Sequence, residues 1–200
     1  MTKQERILDA AIDIFTTRGF ADTRMDEVAE RAGVAKGTVY LHFDSKEALF
    51  QAVVDNALAP IRTALEYMDG NGHADPVNAE SLHRFYQSIS GFIETGVPGA
   101  IMRLVIAESG RFPAIAETYY KTIIEPGLGH LTDILDKGSK DGTFNGALIR
   151  DHPMALIAPV LLAVLWREMF QEIRPLDTQK FLQVFADMAS QGLNPQGSRP

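Results

Sequence analysis

Apolar residues recur at three- and four-residue steps along almost the whole chain, a period that suits helices. In "QERILDAAIDIFTTRG", Ile7, Ala10, Ala11, Ile14 and Phe15 share one face, and Gly19 stands where a helix commonly ends. The same spacing predicts helices over 25–32, 36–42, 45–69, 77–95, 99–108, 112–137, 152–171 and 177–191. Breakers separate them: "GNGHADP" at 70–76, "TGVPG" at 95–99, "GSKDGTFNG" at 138–146 and "RPL" at 174–176. No stretch alternates with a two-residue period for long enough to form a sheet. The expected fold class is all-α, with about nine helices.

Helix length shifts near position 45. Before it, three helices crowd into a short segment; after it, the helices are long and rich in apolar residues. This pattern predicts a small N-terminal module and a larger helical body, with Ser45–Met68 as the connection. Pro126, in "EPGLG", removes a backbone donor and is expected to kink or break the 112–137 helix. The last residues, "NPQGSRP", read as a frayed tail.

The absence of cysteine excludes disulfides, thiolate nucleophiles and cysteine-ligated zinc. The five histidines, His42, His73, His83, His130 and His152, are scattered, and neither a metal site nor a cofactor is expected. No G-x-S-x-G elbow is present, and the paired carboxylates sit at helix starts, so catalysis is not expected. The N-terminus is charged, unlike a signal peptide. The longest apolar run, Pro153 to Trp166, is shorter than the ~20 residues that span a bilayer. The expected location is therefore the cytoplasm, with no membrane partner.

The net charge of −7 argues against a protein that coats nucleic acid over its whole surface. Residues 1–50 carry 7 Lys/Arg against 9 Asp/Glu, so any DNA face must come from the arrangement of charge. "GVAKGTVYLHF", Gly33 to Phe43, decides between two readings. A phosphate-binding loop needs G-x-x-x-x-G-K-[ST] after a strand. Here Lys36 precedes Gly37, and the segment before is helical, so that reading fails.

A helix-turn-helix fits better. Val28, Ala32, Val34 and Val39 supply inward apolar positions, and Ala29 is small where two helices meet. Gly33 takes the turn, and Thr23 is placed to cap the helix at Met25. The second helix presents Lys36, Thr38, Tyr40 and His42, side chains suited to phosphates and base edges. In "DSKEALF", Asp44 or Ser45 can cap the next helix, while Lys46 stands in its first turn against the helix dipole. Lys46 is then either a solvated lysine or one that a bound phosphate offsets.

Residues 5–50 resemble the N-terminal DNA-binding domain of TetR/AcrR-type transcriptional regulators, through G-x-x-x-G-T-x-Y-x-[HY]-F and S-K-E-x-L. Ala35 departs from that pattern, which often has Ser there, so a cap or phosphate hydroxyl is missing. The resemblance implies a three-helix DNA-binding domain at 1–46 and a regulatory domain for ligand binding and dimerisation at 47–200. It also implies a homodimer whose recognition helices enter successive major grooves of a palindromic operator. Carried over by position, Lys36, Gly37 and Thr38 lie at base edges and backbone. Tyr40, His42 and Lys46 hold phosphates, joined by Thr23 and Arg24.

In the body, residues 99–123 resemble the middle of the regulatory domain in a subset of the same family. An apolar patch formed by Leu161, Leu162 and Leu165 with Phe181, Leu182, Phe185 and Met188 suits a dimer interface, the alternative being a core within one chain. Phe85, Ile89, Phe92, Met102, Ile106, Tyr119, Trp166, Met169 and Phe170 are either core or the lining of a pocket for a small apolar or amphipathic ligand. Linkage then implies repression relieved by that ligand.

Overall fold

The computed structural model describes residues 1–61, 63, 79–140, 142 and 152–193, with the backbone alone at Ala79, Ser81, His130 and Ile134. Among the described residues every regular element is helical. They are α1 (Lys3–Arg18), α2 (Met25–Ala32), α3 (Lys36–His42), α4 (Lys46–Ala57), α5 (Ala79–Glu94), α6 (Val97–Glu108), α7 (Pro113–Tyr119), α8 (Glu125–Lys140), α9 (Met154–Phe170) and α10 (Thr178–Gly192). The expected tail at 194–200, the 70–76 breaker, His73 and the end of the 45–69 helix lie outside the described residues.

Each short N-terminal helix owes its bounds to local chemistry. Thr2 Oγ1 accepts from the Glu5 amide at 3.1 Å, and Glu5 accepts from the Thr2 amide at 2.8 Å, a reciprocal cap on α1. Gly33 closes α2 with φ 63° and ψ 40°, the left-handed conformation that glycine adopts without strain. Ser45 accepts from the Ala48 amide at 3.0 Å and caps α4. Ala35 precedes α3 with no side-chain cap.

Thr23 does not cap α2. Arg24 occupies the N-cap without a side-chain bond, and the Thr23 hydroxyl donates to the Gly19 carbonyl at 2.7 Å. Thr23 is buried, so its hydroxyl is satisfied inside the module, by donating to that carbonyl.

The 112–137 stretch is divided into α7 and α8 by a π segment, Tyr120–Ile124, just ahead of Pro126, rather than by a simple break. The wider turn shifts the hydrogen-bond register just ahead of the proline, which has no amide to offer. This division turns nine expected helices into ten among the described residues.

The chain forms two compact units. The first comprises Met1–Ala59 and Ala100–Ile123, so α4 and the segment 100–123 pack with the three N-terminal helices. Its centre is aromatic: Phe20 lies 5.6 Å from Phe15, 5.6 Å from Phe50 and 5.2 Å from Phe112, ring centre to ring centre. The second comprises Pro60–Gly99 and Ile124–Pro200, where α10 packs chiefly on α5 and also meets α9. Tyr86 anchors it, buried and donating to the Leu156 carbonyl at 2.7 Å. Burial pushes the Tyr86 phenol above its usual pKa.

Candidate nucleic-acid interface

α3 is a seven-residue helix held by one buried side chain, Val39, which is fully enclosed. The Gly33 turn and the packing of α2 on α3 set its direction. With Val39 inward, Lys36, Gly37, Tyr40, Leu41 and His42 are exposed, and Thr38 is half-buried. This is the polar outer face that the sequence predicts, with one addition. Leu41 is 82% exposed and was not among the expected contacts. The signal that finds it is angular: Leu41 stands two residues from Val39, and two residues turn a helix by roughly 200°.

Lys36 is tied to α2. Its ammonium lies 2.8 Å and 2.9 Å from the two carboxylate oxygens of Asp26, and 5.9 Å from the centre of the Tyr40 ring. The hydrogen bond to Asp26 holds the Lys36 pKa above its usual value. Two further ion pairs brace α1 against α2: Arg18 with Glu27 at 2.7 Å, and Arg31 with Asp13. Each lies at the surface, so each fixes geometry more than it adds stability.

Lys46 faces the module rather than the solvent. Its ammonium donates to the carbonyls of Ala21 at 2.9 Å and Thr23 at 3.1 Å, and sits 4.7 Å from the centre of the Phe20 ring. Two of its three N–H bonds are thus committed. Those carbonyl dipoles compensate a cation in the first turn of α4, a third answer beside solvation and a bound phosphate. Thr23 is buried with its hydroxyl engaged, while Arg24 is exposed at the start of α2.

In the second unit, α9 and α10 leave apolar side chains uncovered. Leu162 is 49% and Met188 64% exposed, joined by Met154 and Val184. Leu161, Leu165, Phe181 and Phe185 are half-buried. Leu182 departs from this face: at 1% exposure it belongs to the chain's own core.

The candidate pocket residues are divided between the two units. Met102, Ile106 and Tyr119 belong to the first unit, and Phe85, Ile89, Phe92, Trp166, Met169 and Phe170 to the second. Phe85 and Ile89 are core residues, whereas Ile106, Met169 and Phe170 are exposed. α6 turns Ile106 outward, and Phe170 ends α9 beside the Trp166 ring, 5.2 Å away. A hollow of about 290 Å³ lies where the end of α5 meets the start of α6 and the end of α9. Of the expected residues only Met169 lines it, with Arg167, Glu168 and Glu172 nearby.

Against the expectation from their scatter, the histidines are not all isolated: Glu80 and His83 form a Glu-x-x-His pair, a spacing that metal ligands use. Glu80 pairs with Arg84 at 2.9 Å and His83 with Asp187 at 2.8 Å, and no group of three metal-ligating residues converges among the described residues.

Comparison with known proteins agrees with this arrangement. Residues 7–53 match the family described as bacterial regulatory proteins, tetR family. Residues 80–190, more than half of the chain, match the C-terminal domain of AefR-like transcriptional repressors. The chain is 40% identical over 58 residues to the HTH-type transcriptional regulator SrpR of Pseudomonas putida, covering 29% of this chain and 27% of that protein. It is 41% identical over 73 residues to the HTH-type transcriptional activator FasR of Mycolicibacterium smegmatis, covering 34% and 33% of the two chains. These matches thus span about a third or less of either relative. In fold, the chain is similar to the regulator FadR of Bacillus subtilis, solved in complex with stearoyl-CoA. The TM-score is 0.73 and the identity 18%, over 95% of this chain and 99% of that one. The chain belongs to the TetR family of bacterial transcriptional regulators.

Proposed function

We propose that this protein is a repressor that binds a palindromic operator in double-stranded DNA as a homodimer and leaves it when a small apolar or amphipathic ligand binds. The observation that carries the reading is α3: a short helix fixed by Val39 and the Gly33 turn, whose outer face offers Lys36, Thr38, Tyr40 and His42. Such a helix fits the major groove, where side chains meet base edges and phosphates. In this reading residues 1–46 bind DNA and 47–200 regulate, Arg24 adds a phosphate contact, and the protein works in the cytoplasm. No single described helix is long and apolar enough to cross a membrane.

Support for the dimer comes from the apolar face of α9 and α10, of a kind that usually marks an interface. Repression draws on the description of the C-terminal family, and an acyl-type ligand on the stearoyl-CoA held by a structural neighbour. A ligand-free DNA-binding dimer is the second reading. It is favoured by Phe85 and Ile89, pocket candidates that are buried in the core.

The test is selection of duplexes from a random pool by the full chain, followed by binding to the enriched sequence with and without stearoyl-CoA. An enriched palindrome bound by two chains, and released by the acyl-CoA, supports the whole proposal. Palindrome binding that neither acyl-CoA nor a panel of apolar compounds changes supports the ligand-free reading. Failure to enrich any sequence overturns both.

A further inference from the structure

We propose that Leu41 reads the 5-methyl group of a thymine in the operator, a role that rests on the DNA-binding reading above. On a helix each residue turns about 100°, so Gly37 and Leu41 lie about 160° to either side of Val39, at the centre of the outward face. Val39 is fully buried and fixes that orientation. Leu41 is 82% exposed, with no apolar neighbour provided by its own helix one turn back, because that position is Gly37.

A single exposed leucine is ordinary on a protein surface. Its surroundings here are not. An atom placed at the missing Gly37 Cβ would meet nothing within 4 Å, so the helix backbone can come close to whatever it faces. Gly37 and Leu41 therefore form a strip that offers no side-chain hydrogen bond. Lys36 and Tyr40 flank it on one side, Thr38 and His42 on the other. Hydrogen-bonding groups at the edges with an apolar centre match one feature of the major groove. The thymine methyl is the apolar group that the four standard bases present there. Lys36, on one flank, is a cation, which favours the phosphates that border the groove.

The test replaces single thymines by deoxyuridine in the duplex selected from the random pool, which removes the methyl and keeps the pairing. At one or two positions in each half-site, wild-type affinity falls about fourfold for each lost methyl contact. In Leu41→Ala and Leu41→Gln the same replacements have no effect, and both variants bind the thymine duplex as weakly as wild type binds the deoxyuridine one. At other positions all three proteins respond alike. The exposure of Leu41 leaves folding of the variants intact, which circular dichroism and melting temperature verify. Equal sensitivity to deoxyuridine in wild type and variants, or none in wild type, overturns the role of Leu41 while leaving DNA binding in place. If no duplex is enriched at all, the DNA-binding reading falls and takes this role with it.

Discussion

Lys46, at the start of α4, holds the backbone of Ala21 in the loop that leads to α2. Its ammonium donates to the Ala21 carbonyl at 2.9 Å, while Glu108 on α6 accepts from the amide of the same residue at 3.4 Å. Ala21 is thus gripped at both ends by side chains that come from outside the three N-terminal helices. A second tie within the first unit joins α4 to the π segment: Gln51 on α4 donates to the Thr122 hydroxyl at 2.7 Å. The placement of α2, and with it α3, depends on these ties as well as on the apolar core.

Lys46→Met is expected to cost about 1–2 kcal/mol of stability, because two carbonyls lose a charged donor at a partly exposed site. The melting temperature falls by several degrees, and operator affinity falls with it. The salt slope of DNA binding separates positioning from phosphate contact. An unchanged slope means that Lys46 acts through the loop; a slope lower by about one unit means that its ammonium neutralises a phosphate in the complex.

Gly33→Ala is expected to destabilise the first unit by about 1–2 kcal/mol, since φ 63° brings Cβ against the following carbonyl. Gly33→Asn should cost less, because asparagine tolerates that conformation. Chemical denaturation of the two variants ranks them, and a Gly33→Ala protein as stable as wild type would contradict the turn assignment.

Leu162→Glu combined with Met188→Glu is expected to halve the mass measured by light scattering at micromolar concentration. Both side chains are exposed in the single chain, so helicity is retained. Leu182→Glu, in the core, is expected instead to unfold the second unit. An unchanged mass in the double variant would place the dimer contact elsewhere.

Tyr86→Phe is expected to lose about 1 kcal/mol at neutral pH through its bond to the Leu156 carbonyl. The folded pKa of Tyr86 lies above the unfolded value near 10, so its contribution is complete below pH 10 and is lost as pH rises further. Melting temperatures between pH 8 and pH 11 should therefore fall less steeply in the variant. Tyr119, which burial raises to about 12, keeps part of the alkaline slope.

Much of this protein was legible because its decisive interactions are local. The bounds of α2 and α3 coincide with the predicted 25–32 and 36–42, since Gly33, Val39 and the helical period act within a few residues of one another. Thr23 misled for the same reason: its spacing suits a cap that accepts from a backbone amide, but the buried hydroxyl instead donates to the Gly19 carbonyl.

By itself, then, the sequence determined the helices, the turn between α2 and α3, and which residues of α3 face outward, because periodicity and glycine stereochemistry are properties of neighbours in the chain. Tertiary structure alone decided that Lys46 and Glu108 clasp Ala21, that Leu182 is core while Met188 is surface, and that the expected pocket residues divide between two units. Those outcomes depend on which distant helices meet, and an apolar residue at helical spacing has the same pattern whether its face meets a core, a ligand or a second chain.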